Sequence, residues 1–238
     1  MSFELSGLLK TSGFDTLTLP SKIITVRSHG KKLIIELENQ LIITGLGMAG
    51  KYRYEKTKHT HVTFILNDLT LYYNDVRRIG SRMDVINKDK EKEYFKNSGP
   101  CLLTAALNQW ITKEEWFKMY YKSGNRKIVD ILMDQKLVSG IGNYLRIDIL
   151  YLAGIHPLRL GNDLTKDELE LIRIAAHEVV LLSYEMGGHT LFDYVDTNGQ
   201  KGNYDPLIYG KKKDAIGFKV RKCKCSGRTI HYVDEVQQ

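Results

Sequence analysis

The first third of the chain consists of short segments that are rich in β-branched residues. Residues typical of turns separate these segments. Pairs such as Glu38-Asn39 and Asn67-Asp68 interrupt stretches in which apolar and polar positions alternate or run together. This pattern predicts the short antiparallel strands of a sandwich or barrel. We expect strands at Ile23 to Val26, Lys32 to Glu38, Gln40 to Thr44, Val62 to Leu66 and Thr70 to Tyr73.

Apolar residues at helical spacing dominate after a charged stretch from Lys88 to Lys96, which we interpret as a linker. Thr112 and Thr165 are each followed three positions later by a Glu, which is the pattern of a capping box at a helix start. The apolar stripes behind these caps are expected in the core: Trp116, Phe117, Met119 and Tyr120, and Leu169, Ile172, Ala176, Val179 and Val180. Gly187-Gly188 is expected to end the second helix.

Short strands return from Tyr204 onward, with Ser226-Gly227 as a hairpin turn. The fold class is therefore α+β, with an N-terminal antiparallel β-sandwich, a helical middle and a C-terminal β-hairpin. We place the domains at residues 1–95, 96–200 and 201–238.

Charge is concentrated at the C-terminal end of the chain. The formal net charge is +7, and residues 201–238 contain nine Lys or Arg against four Asp or Glu, a net of +5. Such a segment suits a polyanionic partner, although a basic tail is also an ordinary solvated surface. The three cysteines are too few for a disulfide framework, and neither a membrane span nor a signal peptide is recognisable, so we expect a soluble intracellular protein without a membrane partner.

The segment from Leu132 to Tyr144 joins a helix to a Gly140-x-Gly142-Asn143 turn that opens another helix. Glycines allow close backbone approach, and a helix start offers unpaired N–H groups to an anion. The spacing predicts an anion seat, and phosphate is the expected ligand. A tight helix-helix turn without a ligand fits the spacing alone equally well.

This segment closely resembles the helix-two-turn-helix of the formamidopyrimidine-DNA glycosylase and endonuclease VIII family, whose members excise oxidised bases and cut the abasic strand. The resemblance implies that residues 1–95 are a truncated catalytic-type sandwich, residues 96–200 the helix-two-turn-helix domain and residues 201–238 a zincless-finger hairpin. Asn143 matches the family Asn that contacts DNA phosphate.

Two loops match the family's void-filling residues. Gly45-Leu46-Gly47-Met48-Ala49-Gly50 resembles the loop whose Met enters the space left by an extruded base, which assigns that role to Met48. Without the family context, a Met in a Gly-rich hairpin is interpreted equally well as a side chain that fills a gap in the core. In the loop that begins Tyr73-Asn74-Asp75, Arg77 would face the orphaned base, and Ile79 replaces the family's Phe wedge.

Lys31 and His59 carry the other matches in the first domain. Lys31 matches the Lys that the family holds beside the abasic sugar, where it binds phosphate and assists β-elimination. His59 matches a position that contacts the DNA backbone, and His61 belongs to the same His-Thr-His-Val strand entry. Alone, a strand-entry Lys or two His at period two are ordinary surface features.

The last segment resembles the family's zinc finger without its ligands. Ile208-Tyr209-Gly210-Lys211 looks like the finger entry, with Lys211 as a DNA contact, but Cys223-x-Cys225 is a lone pair and Val233 and Val236 stand at the other two ligand positions. Four tetrahedral ligands cannot be assembled, so we expect no metal and no cofactor. Arg228 matches the Arg that grips phosphates around the flipped nucleotide and assists the second elimination.

The family nucleophile is an amino-terminal Pro followed by Glu, and no residue here matches it. Pro20 is internal, and neither Ser2 nor Glu4 can be assigned to the sugar. Three interpretations stay open: a start upstream of the recorded one, another amine or a partner as nucleophile, or a chain that binds damaged DNA without cutting it. We favour the first over the last.

The resemblance implies a DNA glycosylase with abasic-site lyase activity that acts on oxidised bases in base excision repair, by base flipping, a Schiff base and β- and δ-elimination. The expected partner is double-stranded DNA with an oxidised base or an abasic site, bound by a monomer. The alternative is a catalytically inactive damaged-DNA-binding protein of the same fold. A weaker alternative, an RNA-binding protein, leaves Met48 and Arg77 unexplained.

Overall fold

The computed structural model describes residues 2–5, 10–77, 82–121, 123–191 and 195–238, with side chains described from residue 11 onward. The chain folds into two compact units. The sandwich unit comprises Met1–Asn97 and Leu191–Gly202, and the helical unit comprises Ser98–Thr190 and Asn203–Gln238. The three-domain division at residues 95 and 200 stays a prediction.

Two sheets form the sandwich unit. Their strands are β1 (Ser2–Leu5), β2 (Lys10–Ser12), β3 (Ile23–His29), β4 (Lys32–Leu37), β5 (Gln40–Gly45), β6 (Gly50–Arg53), β7 (Thr60–Ile65), β8 (Thr70–Asp75) and β9 (Arg82–Asn87). One sheet has the order β1-β7-β8-β6 and the other the order β2-β9-β5-β4-β3. Neighbouring strands are antiparallel except that β2 runs parallel to β9. The five strands predicted from the sequence are confirmed, with small differences at their ends.

The inner faces of both sheets supply the sandwich core. Alternate residues of a strand point to one face, so Ile35 and Leu37 of β4 join Val62 and Phe64 of β7 in one core, while Ile34, which precedes Ile35, points to the opposite face. Further buried members of this core are Ile42, Tyr52, Tyr73, Met83 and Val85. The two sheets therefore enclose one apolar layer.

The interpretation of residues 88–96 as a linker is wrong. Lys88–Lys90 form a 3-10 turn, and α1 (Glu91–Tyr94) follows directly. Tyr94 and Phe95 pack on the outer face of the five-stranded sheet, against the buried Ile34, Leu41 and Ile43. Lys88 and Glu91 of this segment also form ion pairs with Glu36 and Arg27 of the same sheet, so aromatic packing and ion pairs together dock it.

Five helices dominate the helical unit: α2 (Leu102–Leu107), α3 (Lys113–Tyr121), α4 (Ile128–Ile131), α5 (Asn143–Leu152) and α6 (Lys166–Glu185). Both predicted capping boxes are confirmed. The Glu115 amide donates to Thr112 Oγ1 at 3.2 Å, and the Glu168 amide donates to Thr165 Oγ1 at the same distance. The predicted stripe of α6 is buried, and Gly187 follows the helix in the left-handed conformation at φ +71°.

The C-terminal hairpin pairs β10 (Arg221–Cys225) with β11 (Arg228–Tyr232). The predicted turn is confirmed, because Ser226 and Gly227 both have positive φ, at 48° and 75°. Cys225 and Ile230 join the core of the helical unit. In the described part of the chain, no helix combines the length and the apolar character that crossing a bilayer requires.

Candidate functional site

One end of the sandwich unit gathers the matched residues of the first domain. Strand register places the β3–β4 turn, the β5–β6 loop, the start of β7 and the end of β8 at this end: Lys32 pairs with His29 and Gly45, Gly45 with Arg82, and Gly50 with Asp75. The loops at this end carry Lys31, Met48, His59 and Arg77. Residues far apart in sequence therefore share one edge of the unit.

A cavity of about 370 Å³ opens at this end. It is lined by Ala49, Lys51, Arg53, Thr57, His59, Asn74, Val76 and Arg77. Three of these side chains are permanent cations and none is a carboxylate, so the cavity favours an anionic ligand. Sequence reasoning found His59 and Arg77 but missed Lys51 and Arg53, because two cations at period two on a strand usually mark a solvated face.

The loop between β5 and β6 presents Met48 to solvent. The Gly50 amide donates to the Leu46 carbonyl at 2.8 Å, and Gly47 has a φ of +58°. This turn leaves Met48 61% exposed. The interpretation of Met48 as a filler of core gaps is therefore wrong, whereas its role as a wedge stays a prediction.

His59 and His61 differ sharply in environment. His61 is buried and its Nε2 lies 2.9 Å from the Asp75 carbonyl oxygen, so it is a structural residue. His59 is half-buried at the cavity. Arg77 is exposed, and its amide donates to Asp75 Oδ1 at 3.0 Å, which fixes the start of its loop. Ile79 lies outside the described residues.

The two lysines at the start of β4 have different surroundings. Lys31 is exposed in the turn that follows Gly30, whose φ is +56°. Lys32 instead donates from Nζ to the Tyr94 hydroxyl at 3.1 Å, and that hydroxyl donates to Asp84 Oδ2 at 2.7 Å. Burial lowers the pKa of Lys32, although the Asp84 carboxylate opposes this effect. The sequence gives no sign of which lysine is enclosed.

The backbone of Ser2 lies at the other end of the sandwich unit. In β1, Ser2 pairs with Ile65, the last residue of β7, whereas His59 precedes the first. Six residues of strand separate these ends by roughly 17 Å at about 3.3 Å per residue. Ser2 therefore lies at the end of the sandwich unit opposite to His59.

The predicted anion seat lies in the helical unit, where α5 begins. Gly140 has a φ of +114°, and Gln135 fixes the turn by accepting from the Gly140 amide at 3.0 Å and donating to the Ile141 carbonyl at 3.1 Å. Gly142 has no side chain that could cap the first amides of α5. The start of α5 therefore has no side-chain cap from Gly142, which is the local arrangement of an anion-binding helix start.

Asn143 and the hairpin residue Arg228 are neighbours. Asn143 Nδ2 donates to the carbonyl of Thr229 at 3.3 Å, and Arg228 precedes Thr229 at the start of β11. Arg228 is exposed. Burial lowers the pKa of the Arg146 guanidinium, with Arg228 acting in the same direction and Asp130 opposing it. The fold therefore brings two of the predicted phosphate ligands together, and Arg146 with them.

Lys211 is engaged in an ion pair. Its Nζ lies 2.9 Å from Asp205 Oδ2, with both side chains substantially exposed, so a phosphate would compete with that carboxylate. Nearby, the buried Asp148 of α5 accepts from the Tyr204 hydroxyl at 2.8 Å and from the Leu207 amide at 3.1 Å. Burial raises the pKa of Asp148 to about 6. The role of Lys211 as a DNA contact stays a prediction.

The hairpin is held by packing at the positions where the family has ligands. Val233 is fully buried and Val236 packs against the same core. Cys223 and Cys225 are free thiols on β10. Among the described residues, no three His, Cys, Asp or Glu side chains converge as a metal site would require.

Comparison with known proteins identifies the same family in both halves of the chain. Residues 5–82 match the formamidopyrimidine-DNA glycosylase N-terminal domain, and residues 105–194 match the formamidopyrimidine-DNA glycosylase H2TH domain. A formamidopyrimidine-DNA glycosylase of Listeria innocua is 35% identical over 94% of this chain and 85% of its own length. A relative of that name from Rickettsia felis is 32% identical over 98% of this chain and 85% of its own length.

Solved structures of Fpg proteins share the fold. A Lactococcus lactis Fpg variant in complex with Fapy-dG-containing DNA superposes with a TM-score of 0.88, at 28% identity, over 100% of this chain and 91% of that one. The MutM (Fpg) protein of Thermus thermophilus gives 0.82, at 28% identity, over 91% of this chain and 83% of that one. With the domain matches and relatives above 30% identity, these likenesses establish that the chain belongs to the formamidopyrimidine-DNA glycosylase family.

Proposed function

We propose that this chain is a DNA glycosylase with abasic-site lyase activity that removes oxidised bases from duplex DNA. The observation that carries the proposal is the clustering of Lys31, Met48, His59 and Arg77 at one end of the sandwich unit, beside a cavity with three cations. The family membership supplies the chemistry that such a cluster would serve.

The sandwich end is suited to an extruded nucleotide. An enzyme that acts on a base in a duplex must flip the nucleotide out and fill the space that it leaves. Met48 is exposed, unbranched and apolar, which suits insertion between stacked bases, and Arg77 is exposed for the orphaned partner base. Lys51 and Arg53 join His59 as cavity residues that bind the phosphates on either side.

The helical unit supplies a second phosphate contact. Asn143 presents its amide at a helix start, and Arg228 presents a guanidinium on the adjacent hairpin. A guanidinium offers a planar fork of donors that matches phosphate oxygens. Lys211 adds a cation at the entry to this hairpin.

The reaction begins when an amine attacks C1′ of the sugar and the damaged base leaves, which gives a Schiff base. Loss of a C2′ proton then expels the 3′ phosphate, and a second elimination expels the 5′ phosphate. Lys31 assists proton transfer and binds phosphate in the first elimination, and Arg228 assists the second.

Borohydride trapping on a labelled duplex with a single abasic site tests this function, because reduction converts a Schiff base into a covalent adduct. We expect an adduct, strand cleavage, and the loss of cleavage in Lys31→Ala. Lys22→Ala is the matched control, since it removes an exposed lysine immediately before β3, at the end of that strand remote from Lys31.

The possible outcomes separate the functions. An adduct, mapped by peptide mass analysis, would identify the nucleophilic amine. Salt-dependent binding of the abasic duplex without adduct or cleavage would show a damaged-DNA-binding protein and contradict the proposed activity. Preference for structured RNA, with indifference to the lesion, would contradict both.

A further inference from the structure

Arg146 is a buried cation beside Asn143, which with Arg228 forms the predicted phosphate-binding site, here called the phosphate seat. It lies on α5 three residues after Asn143, and only 1% of its surface is exposed. Burial of a guanidinium is costly unless its donors are satisfied. Nε and Nη2 donate to Asn143 Oδ1 at 3.1 and 2.6 Å, and Nη1 donates to the Val129 carbonyl at 2.8 Å.

These contacts fix the orientation of the Asn143 amide. A carboxamide has an acceptor oxygen and a donor nitrogen, whereas a guanidinium only donates. The atom that faces Arg146 must therefore be the oxygen, which directs Nδ2 to the other side, where it donates to the Thr229 carbonyl at 3.3 Å. Phosphate oxygens accept hydrogen bonds, so the orientation that Arg146 enforces is the one that can bind phosphate. A flipped amide would present an oxygen to an anion.

Asp130 connects Arg146 to the hairpin. Its Oδ1 lies 3.6 Å from Arg146 Nη1, and its Oδ2 accepts from Ser226 Oγ at 2.8 Å. The Cys225 thiol lies 3.6 Å from the same Oδ2. Ser226 is held at a positive φ of 48°, and the turn that it begins leads directly into Arg228. One carboxylate therefore contacts both the buried cation and the turn that carries the second phosphate ligand.

We propose that Arg146 and Asp130 are positioning residues of the phosphate seat: Arg146 sets the amide of Asn143 to donate, and Asp130 fixes the hairpin turn that places Arg228. Neither residue touches DNA in this arrangement. The proposal rests on the proposed function, because it requires Asn143 and Arg228 to bind the phosphates of a DNA substrate. A double-mutant cycle separates this role from ordinary stabilisation, because a positioning residue matters only while its target is present.

The experiment measures the dissociation constant of the full chain for a duplex with a non-cleavable abasic analogue, at fixed salt. Arg146→Met is expected to weaken binding about tenfold or more, which is the scale of a hydrogen bond to a charged group. In the Asn143→Ala background the same substitution is expected to change binding less than twofold. Asp130→Asn is expected to weaken binding in the wild-type background and to lose most of that effect when Arg228→Ala is present.

Two further variants keep the outcome interpretable. Arg173→Met removes another arginine of the helical unit, which contacts Glu170 and the Ile111 carbonyl, and it is expected to leave binding unchanged. Arg146→Lys retains the charge but not the two-donor fork, so it serves if the Met variant does not fold, and it is expected to weaken binding as well. Melting temperatures of all variants identify unfolded protein.

Equal weakening of DNA binding by Arg146→Met in the wild-type and Asn143→Ala backgrounds would overturn the proposal. Unchanged binding in both Arg146→Met and Arg146→Lys would overturn it as well. Unchanged binding in Asn143→Ala, with a wild-type chain that binds, would also overturn it while leaving the proposed function intact. Failure of the wild-type chain to bind the abasic duplex would instead contradict the proposed function.

Discussion

The backbone of Gly50 lies against the hydroxyl of Tyr73. A Cβ atom built on Gly50 would stand 2.1 Å from Tyr73 Oη and 2.4 Å from the Leu46 carbonyl oxygen. Tyr73 is fully buried and cannot yield. The Gly50 amide also donates a hydrogen bond to the Leu46 carbonyl, which closes the loop that presents Met48.

Gly50→Ala is expected to destabilise the protein by about 1–3 kcal/mol, because an added methyl would force the loop or the core to shift. Gly45→Ala is the matched control at the other end of the same loop, where a Cβ would meet the Arg82 carbonyl oxygen at an ordinary 3.8 Å. Urea unfolding of both variants checks the difference. Equal stabilities would show that the Gly50 contact is not restrictive.

Met48→Ala is expected to leave the free energy of unfolding within about 0.5 kcal/mol of wild type, because the side chain is exposed and contributes little to the core. The substitution should instead affect the binding of damaged DNA, because the side chain that would enter the space left by the extruded base is lost. We expect weaker binding of a duplex with an abasic-site analogue and little change for undamaged duplex. A similar loss on both duplexes would contradict the wedge.

Asp148 is expected to make stability depend on pH. Its pKa is about 6 in the folded protein, above the ordinary value of 3.8, so the folded state holds more protons between these values. Stability from this group therefore decreases as the pH rises from about 4 to 6. The shift of roughly two units corresponds to about 3 kcal/mol at most.

Asp148→Asn removes this titration. As the pH rises from 4.5 to 7, the wild type should therefore lose free energy of unfolding relative to the variant. Unfolding by urea at both pH values measures that difference. The asparagine keeps one oxygen that can accept from the Leu207 amide, and it loses the second acceptor, which faces the Tyr204 hydroxyl, at both pH values. A difference that does not change with pH would show that Asp148 is not protonated in the folded state.

Arg53 is expected to hold the segment that returns to the sandwich unit. Its Nη1 donates to the carbonyls of Asp196 and Thr197 at 3.2 and 3.4 Å. Asp196 Oδ1 also accepts from the Gln200 amide at 2.8 Å, so the turn has its own internal support.

Arg53→Met should therefore speed amide hydrogen exchange across residues 195–202 while leaving the strands of the sandwich protected. Lys51→Met, two residues earlier on β6, serves as the control and should leave this exchange unchanged. Identical exchange in both variants would show that the internal bonds of the turn suffice.

Local patterns determined much of this protein from its sequence. The capping boxes at Thr112 and Thr165, the hairpin turn at Ser226-Gly227 and the helix start at Asn143 follow from residues within four positions of each other. Backbone geometry and capping depend on such near neighbours, so the pattern alone was informative. The resemblance that selected Lys31, Met48, His59, Arg77 and Arg228 also rests on short motifs.

Tertiary structure decided what surrounds those residues. Residues 88–96 are polar enough to predict a linker, yet Tyr94 and Phe95 dock on a sheet whose outer face the pattern does not reveal. Arg146 gives no sign in sequence of being buried, because its partner Asp130 and the Ser226 that Asp130 holds come from other elements, with Ser226 lying 96 positions from Asp130. A buried charge is specified by whatever the fold brings within hydrogen-bonding distance, and chain order does not encode that distance.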